Sequence, residues 1–495
     1  MSTNASQLHD AVRSAKKYKG VAVLSLRRSL ISKVDAQVDG NLTAAPRGDW
    51  TFPAAYSLGF LTLISAFNYF DRSLLGLAMP QIKAEMGVSD TVMGLVSGLA
   101  FVLFYSIMGV PIAWAADRWN RRNIVAAGLA FWSLMTLATG WVMNIWQLAI
   151  ARFLMGAGEA CGVAPSNAMT ADLFRPERRP LAYSVFATAT SISSILFFPV
   201  AGWVGQHYGW RQMFIVAGIP GICLAGLFVL TVREPRRGAS DRHLDLPATQ
   251  RDASERAMPF WEGVRFLLGL RAYLALLTGA TFMGLNIFAS SVWTPTFLTR
   301  VHHLSLAEIA ATIGPIRGFC GLAGVLLGGI LIDRLGQRAH HWRMSIPAFA
   351  CLCLAPAEAL FALSDAQPVW LGAFAVSAFL LLIHQGPVFA GIMAIAPVRS
   401  RAVATSILLF CSALFGQAVG PLLVGVMNDF LEPGFGAQGI RYSMLIIAAT
   451  AVLAGLSFLL AGRFIAEESE TASSKAPRST GLRNEKLKLE GENLP

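Results

Sequence analysis

Seven ionisable residues lie inside long apolar runs of this chain: Asp71, Arg72, Arg152, Glu159, Arg317, Glu358 and His384. A charge in such a setting is costly, and it is found where protons, ions or polar cargo are handled. Arg152 and Glu159 are seven positions apart, which on a helix is two turns and about 10.5 Å along one face. That separation is too long for a tight pair without the full reach of the arginine, so each calls for a further partner. Asp71 is the natural counter-ion for Arg152. A carboxylate beside an arginine stays ionised, whereas an acid in an apolar cavity keeps its proton more readily. Glu159 therefore reads as a proton carrier, Asp71 as a fixed charge, and Arg152 as the cation that moves between them.

A second chemical feature is a repeated cassette. Gly329-Ile330-Leu331-Ile332-Asp333-Arg334-Leu335-Gly336-Gln337-Arg338 reads G-x-x-x-D-R-x-G-x-R. Some two hundred residues earlier, Ala113-Trp114-Ala115-Ala116-Asp117-Arg118-Trp119-Asn120-Arg121-Arg122 repeats it, with Ala and Asn at the two glycine positions. Each copy closes one apolar run and opens the next. One fold built twice within a membrane accounts for this, and parallel repeats of that kind point to a transporter.

The elements that carry these residues are membrane helices. The 495 residues are 55% hydrophobic and 14% charged, against about a quarter charged in soluble chains. Lipid offers no partners to backbone groups, so runs of about twenty apolar residues must be helical. Twelve such runs are read at roughly 54–80, 90–114, 123–143, 146–173, 181–205, 212–232, 272–298, 307–333, 343–364, 369–396, 402–427 and 441–464. The fold class is thus an all-α multi-pass membrane protein. Its segments are a basic N-terminal stretch (1–52), a first six-helix half (53–232), a polar linker (233–271), a second six-helix half (272–465) and a polar tail (466–495). Small-xxx-small pairs such as Gly94/Gly98 and Gly314/Gly318 allow close helix approach. Pro165, Pro199, Pro315, Pro387 and Pro421 each remove a backbone hydrogen bond and are expected to bend their helices.

Charge placement gives the orientation. Arginines crowd the even-numbered connections (Arg118, Arg121, Arg122; Arg175, Arg178, Arg179; Arg334, Arg338, Arg343; Arg399, Arg401), while odd-numbered connections hold few. Positive loops mark the cytoplasmic side, so both termini are expected there, in a cell (inner) membrane protein. The net charge of +11 follows from those loops and tails and needs no nucleic acid. The six cysteines are scattered within apolar runs without a C-x-x-C pair, and read as small core residues. No H-E-x-x-H, G-x-S-x-G or carboxylate–histidine cluster marks an enzyme, a metal or a cofactor.

Together these residues resemble the major facilitator superfamily. Within it the first half is similar to the Spinster branch, above all its bacterial members. The residues are Asn68-Tyr69-Phe70-Asp71-Arg72, the loop Asp117-Arg118-Trp119-Asn120-Arg121-Arg122, and Arg152-Phe153-Leu154-Met155-Gly156-Ala157-Gly158-Glu159-Ala160 followed by Thr170-Ala171-Asp172-Leu173-Phe174. The resemblance implies two pseudo-symmetric six-helix bundles about a central cavity that opens to either side in turn, lined by helices 1, 4, 7 and 10. It also implies lysophospholipid or sphingoid cargo and, from the bacterial members, proton coupling.

On that architecture Arg72 points about 100° away from Asp71, to snorkel, to meet another acid or to meet an anionic headgroup. Arg317 on helix 8 is a candidate anion clamp. His384 and Gln385 lie on a cavity helix, though a lone histidine is often a bonded core residue. Asn68, Tyr69 and Asn286 are candidate cavity polar groups. Glu358, on a peripheral helix, reads as solvated or locally paired. Asp117 is expected against the partly positive start of helix 11 near Ala402–Ser406, Arg121 or Arg122 against Asp172, and Asp333 against helix 5 near Leu181–Ser184. With Arg118, Arg334 and Arg338 these would form the cytoplasmic gate. The reading is a monomeric, proton-coupled carrier of small amphipathic molecules in contact with membrane lipids. A multidrug exporter or an organic-anion symporter of the same fold is the alternative.

Overall fold

The computed structural model describes residues 50–237, 260–335, 342–396 and 400–475. Most of the basic N-terminal stretch, the middle of the linker, most of the tail and Arg338 lie outside these residues, as does the side chain of Asp333. Pro53–Pro495 forms one compact unit.

The described residues are helical throughout their regular structure. α1 spans Phe52–Met86 and α2 spans Asp90–Arg118. α3 is Arg121–Thr139, and α4 is Ile145–Leu173. The next continuous stretch, Arg179–Thr231, is 53 residues long, about 80 Å of helix, far beyond the roughly 30 Å of a bilayer. It turns back at Gly209, whose φ of 83° is open to glycine and strained for other residues. It is therefore two crossings, α5 (179–208) and α6 (210–231). A short helix, Phe260–Leu268, ends the linker. α7 (Arg271–Val301), α8 (Leu306–Leu335) and α9 (Trp342–Leu363) follow. α10 has two parts, Gln367–Ile383 and Gln385–Ile395. α11 (Arg401–Phe435) and α12 (Gly439–Lys475) complete twelve crossings and join at Gly436, where φ is 55°.

The packing has the symmetry that the repeated cassette implies. In the first half α2 packs on α4, α3 on α4 and α3 on α6; in the second, α8 packs on α10, α9 on α10 and α9 on α12. Between halves α2 meets α11 and α5 meets α8, and these two contacts exchange when the halves are exchanged. Both rely on missing side chains. A Cβ at Gly98 of α2 would collide with the carbonyl of Gln417 in α11, and one at Gly314 of α8 would collide with that of Ser194 in α5. The Gly94/Gly98 and Gly314/Gly318 pairs thus sit in the seam between halves.

Pro165, Pro199 and Pro387 sit at helix interruptions, whereas Pro315 and Pro421 lie within helices that run on unbroken. α4 breaks after Glu159 and resumes at Val163, with Pro165 in its first turn. α5 holds a π-helical turn at Ser193–Phe197 just before Pro199. α10 breaks at His384, just before Pro387. Each break is where a missing N–H and the proline ring forbid the regular ladder.

The face carrying Phe52 and the linker is termed the linker face, and the opposite one the distal face. At the distal face, hydrogen bonds and ion pairs join the two halves. Asp90 at the start of α2 takes both Arg300 amino nitrogens, at 2.5 and 2.7 Å, and also Lys83 at 2.7 Å. The N–H groups of Asp90 and Thr91 donate to the Asp429 carboxylate of α11 at 2.9 and 2.8 Å. The Leu306 N–H donates to Gln206 at 3.0 Å. The distal face is closed.

Candidate functional site: a buried charge cluster on α1 and α4

Asp71 and Arg72 of α1 and Arg152 and Glu159 of α4 form one cluster. Asp71, Arg152 and Glu159 are 1%, 1% and 0% exposed. Arg72 Nε donates to Glu159 Oε2 at 2.6 Å. The guanidiniums of Arg72 and Arg152 both stand over the Phe101 ring, at 4.9 and 5.1 Å from its centroid, and Arg72 also stands 4.9 Å from the Tyr105 centroid. Aromatic faces attract cations, so these rings hold two like charges beside one another. Formally the cluster is neutral, with two acids and two bases.

The pairing differs from the sequence-based expectation. Arg72, and not Arg152, holds Glu159, and Asp71 makes no ion pair with Arg152. Adjacent residues on α1 diverge by about 100°. The direction that faces α4 belongs to Arg72, while Asp71 turns toward Trp132 and Thr136 of α3. Arg152 instead donates to the Met155 thioether at 3.2 Å. Several polar atoms stay unmatched: Asp71 Oδ1, Arg152 Nε, Glu159 Oε1 and Asn68 Nδ2 have no hydrogen-bond partner among the described residues. Unmatched groups in a buried charge cluster are energetically exposed to any proton or water that arrives. Glu159 also ends the first part of α4, so the acid sits at the helix break.

The remaining candidates fall in different places. Asn68 is buried and faces Glu159, and Tyr69 is partly exposed near Arg72 and Glu159. Asn286 does not face an open cavity. It is fully buried, its Nδ2 donating to Glu358 at 3.0 Å and to the Ile447 carbonyl at 2.9 Å. Glu358 is accordingly buried and locally paired, because α9 is packed against α10 and α12. His384 is buried, with Nδ1 2.7 Å from the Leu381 carbonyl and its ring stacked 6.3 Å from Phe458. Gln385, next to it, is exposed. Arg317 makes no hydrogen bond or ion pair among the described residues and lies 5.8 Å from the Phe374 ring centroid.

At the linker face Arg121 bridges Asp172 at 2.6 Å and Glu234 at 3.0 Å. Burial alone would lower the Arg121 pKa, but hydrogen bonds and charge from Glu234 and Asp172 raise it. Arg122 instead caps carbonyls at the end of α6, Val229 and Val232, both at 3.1 Å. Asp117 is exposed, and its side chain has no hydrogen bond or ion pair among the described residues. Arg237 occupies the adjacent carbonyls, including that of Trp119 at 2.6 Å and of Ala116 at 3.0 Å. The expected Asp117 contact with the start of α11 is not made. Arg118 stacks on Trp114 at 4.2 Å, and Arg334 is exposed. The distal cluster of Lys83, Asp90, Arg300 and Asp429 was not read from sequence. Its only signal was isolated charge at the ends of spans.

The Major Facilitator Superfamily family model matches residues 61–421. The chain belongs to this superfamily. Facilitators are multi-pass membrane transporters, and the two-half architecture supports secondary transport by alternating access. An MFS-type efflux pump of Mycolicibacterium smegmatis is 30% identical over 410 residues, 83% of this chain and 91% of the pump. Protein spinster homolog 1 of Xenopus laevis is 28% identical over 437 residues, 83% of this facilitator and 81% of that protein. Among solved structures, a bacterial homologue of the human lysosomal transporter Spinster, inward-facing and unoccupied, is similar at a TM-score of 0.73 and 26% identity. It covers 84% of this facilitator and 98% of that chain.

Proposed function

We propose that this facilitator is a proton-coupled secondary transporter of amphipathic, lysophospholipid- or sphingolipid-like molecules. The proposed setting is the cell (inner) membrane, with the linker face and both termini in the cytoplasm. The observation that carries the reading is Glu159, fully buried beside Arg72 with one carboxylate oxygen unmatched. Protonation of Glu159 removes the charge that holds Arg72. The guanidinium is then free to turn toward the unmatched Asp71 or toward an anionic headgroup. Because Glu159 lies at the break in α4, its charge state bears on the angle between the two parts of that helix. Protonation and conformation become linked in this way, through Arg72 with Arg152 as the second cation. Asn68 and Tyr69 stand beside the cluster and would meet the polar part of the cargo.

In this reading the distal latch is shut and the cytoplasmic side is open. Reclosure would bring Asp117 to the start of α11, with Arg121 and Asp172 bracing the loop and Asp333, Arg334 and Arg338 acting likewise in the second half. The similarity to a protein named an efflux pump and to a probable galactarate/D-glucarate transporter of Bacillus subtilis, 27% identical over 336 residues, supports a second reading with drug or sugar-acid cargo. Flux of lysolipids, cationic dyes and sugar acids into proteoliposomes separates the two. The proposal expects lysolipid movement with cargo recovered unchanged. Movement of dyes or sugar acids alone refutes it.

A further inference from the structure

The second half holds another polar site, apart from the α1–α4 cluster. A small cavity of about 30 Å³, room for a compact polar group, is lined by Ser290 of α7, Arg317 of α8, Glu358 and Phe361 of α9, and Phe374 and Ser377 of α10. Arg317 brings a guanidinium with no hydrogen bond or ion pair among the described residues. Its neighbour is an aromatic ring, that of Phe374. The Ser377 hydroxyl is more than nine-tenths buried and has no partner among the described residues. Glu358 is anchored from behind, since Asn286 donates to its Oε2 at 3.0 Å.

An unpaired cation in a helix-bundle interior is costly, and so is an unmatched buried hydroxyl. Both deficits are cancelled by one kind of visitor, an anionic group that accepts from the guanidinium fork and from the hydroxyl. Glu358 sets the condition for entry. Ionised, it repels an anion across an apolar space. Protonated, it is neutral and offers an O–H to the same visitor. The proton comes from water and returns to water when the anion leaves.

We propose that this cavity binds the anionic group of an amphipathic molecule, a carboxylate, phosphate or sulfonate, together with one proton on Glu358. Arg317 is the cationic ligand, Ser377 a neutral donor, and Phe361 and Phe374 the apolar wall for the adjoining carbons. Other groups around Glu358 leave it as the titrating member. Asn286 of α7 is an amide, Cys351 of α9 is turned onto the Met283 sulfur at 3.4 Å, and His384 of α10 is tied to the Leu381 carbonyl at 2.7 Å. The residues of α12 that line the cavity, Met444 and Ile447, carry no charge.

The proposal names the cargo charge for the transporter reading and rests on it, but its test is equilibrium binding, so a failure of flux does not decide it. The full chain in lipid nanodiscs is titrated with decanesulfonate, whose charge is fixed across the pH range, and with decyltrimethylammonium as the opposite charge. Decanesulfonate is expected to bind tighter at pH 5.5 than at pH 8, weakening about tenfold per pH unit once Glu358 ionises. Arg317→Gln should weaken binding at least tenfold at pH 5.5, with Arg317→Lys retaining part of it. In a Glu159→Gln background, which removes the acid of the α1–α4 cluster, Glu358→Gln should bind at both pH values alike. Thermal unfolding of each variant shows that it is folded. Unchanged affinity in folded Arg317→Gln, a pH slope that survives in the double variant, or preference for the ammonium would each overturn the proposal.

Discussion

Replacing Asp90 by Asn should open the distal face. The carboxylate is 1% exposed and joins the halves through Arg300, with Lys83 as a second cation. Asn keeps the shape and the backbone bonds to Asp429, so the change removes the charge and one of the two oxygens that accept from Arg300. Removing one member of a buried, hydrogen-bonded charge pair costs about 2–5 kcal/mol. Arg300 and Lys83 keep 22% and 21% of their side-chain surface exposed, so water softens their loss and the lower end, about 2 kcal/mol, applies. At 1.4 kcal/mol per tenfold, the closed-to-open ratio of this face falls about 30-fold. Spin labels on cysteines placed at the exposed positions Ala84 and Glu432, in a chain free of its native cysteines, report the distance across this face. Double electron–electron resonance should show one short distance for the parent and a second, longer population for Asp90→Asn. Identical distributions would refute the assignment of these residues as a latch.

Two further outcomes follow from the same geometry. Gly98→Val should prevent α2 from seating on α11, because even a Cβ meets the Gln417 carbonyl; the labelled chain should lose its short distal distance and its flux, while Gly59→Val, where nothing lies within 4 Å, should not. Glu85, beyond the end of the first span, is held below the usual carboxylate range by hydrogen bonds from Arg211 and Trp210. Its contribution to stability is therefore full above the ordinary value of 4.5 and is lost as pH falls through the lower folded value. Thermal unfolding of the parent should lose a small increment over that acid range that Glu85→Gln lacks, and parallel curves would contradict the assignment.

Much of the architecture was legible because membranes allow few solutions. Apolar runs fixed the crossings, the D-R cassettes announced a repeated half, and Pro165, Pro199 and Pro387 marked three helix breaks. Asp71, Arg72, Arg152 and Glu159 were visible as charges where lipid forbids them. Their pairing was not visible. The choice between Arg72 and Arg152 as the partner of Glu159 depends on how α1 is rotated against α3 and α4, and that rotation is set by packing from every side. Asn286 was misjudged, and Glu358 took the locally paired of its two readings, for a related reason: a helix at the edge of a half still buries one face, and the two residues meet there. The distal latch joins Asp90 to Arg300 and Asp429, residues more than two hundred positions away, and spacing along the chain carries no trace of such a meeting.

Proton-gradient-driven flux in proteoliposomes, comparing the parent chain with Glu159→Gln, tests the coupling most directly. The parent should accumulate or expel lysolipid in proportion to an imposed pH difference. The Gln variant should exchange cargo down its own gradient with no response to pH. A Gln variant that still follows the proton gradient would mean that the buried acid at the break of α4 is not where the proton is carried.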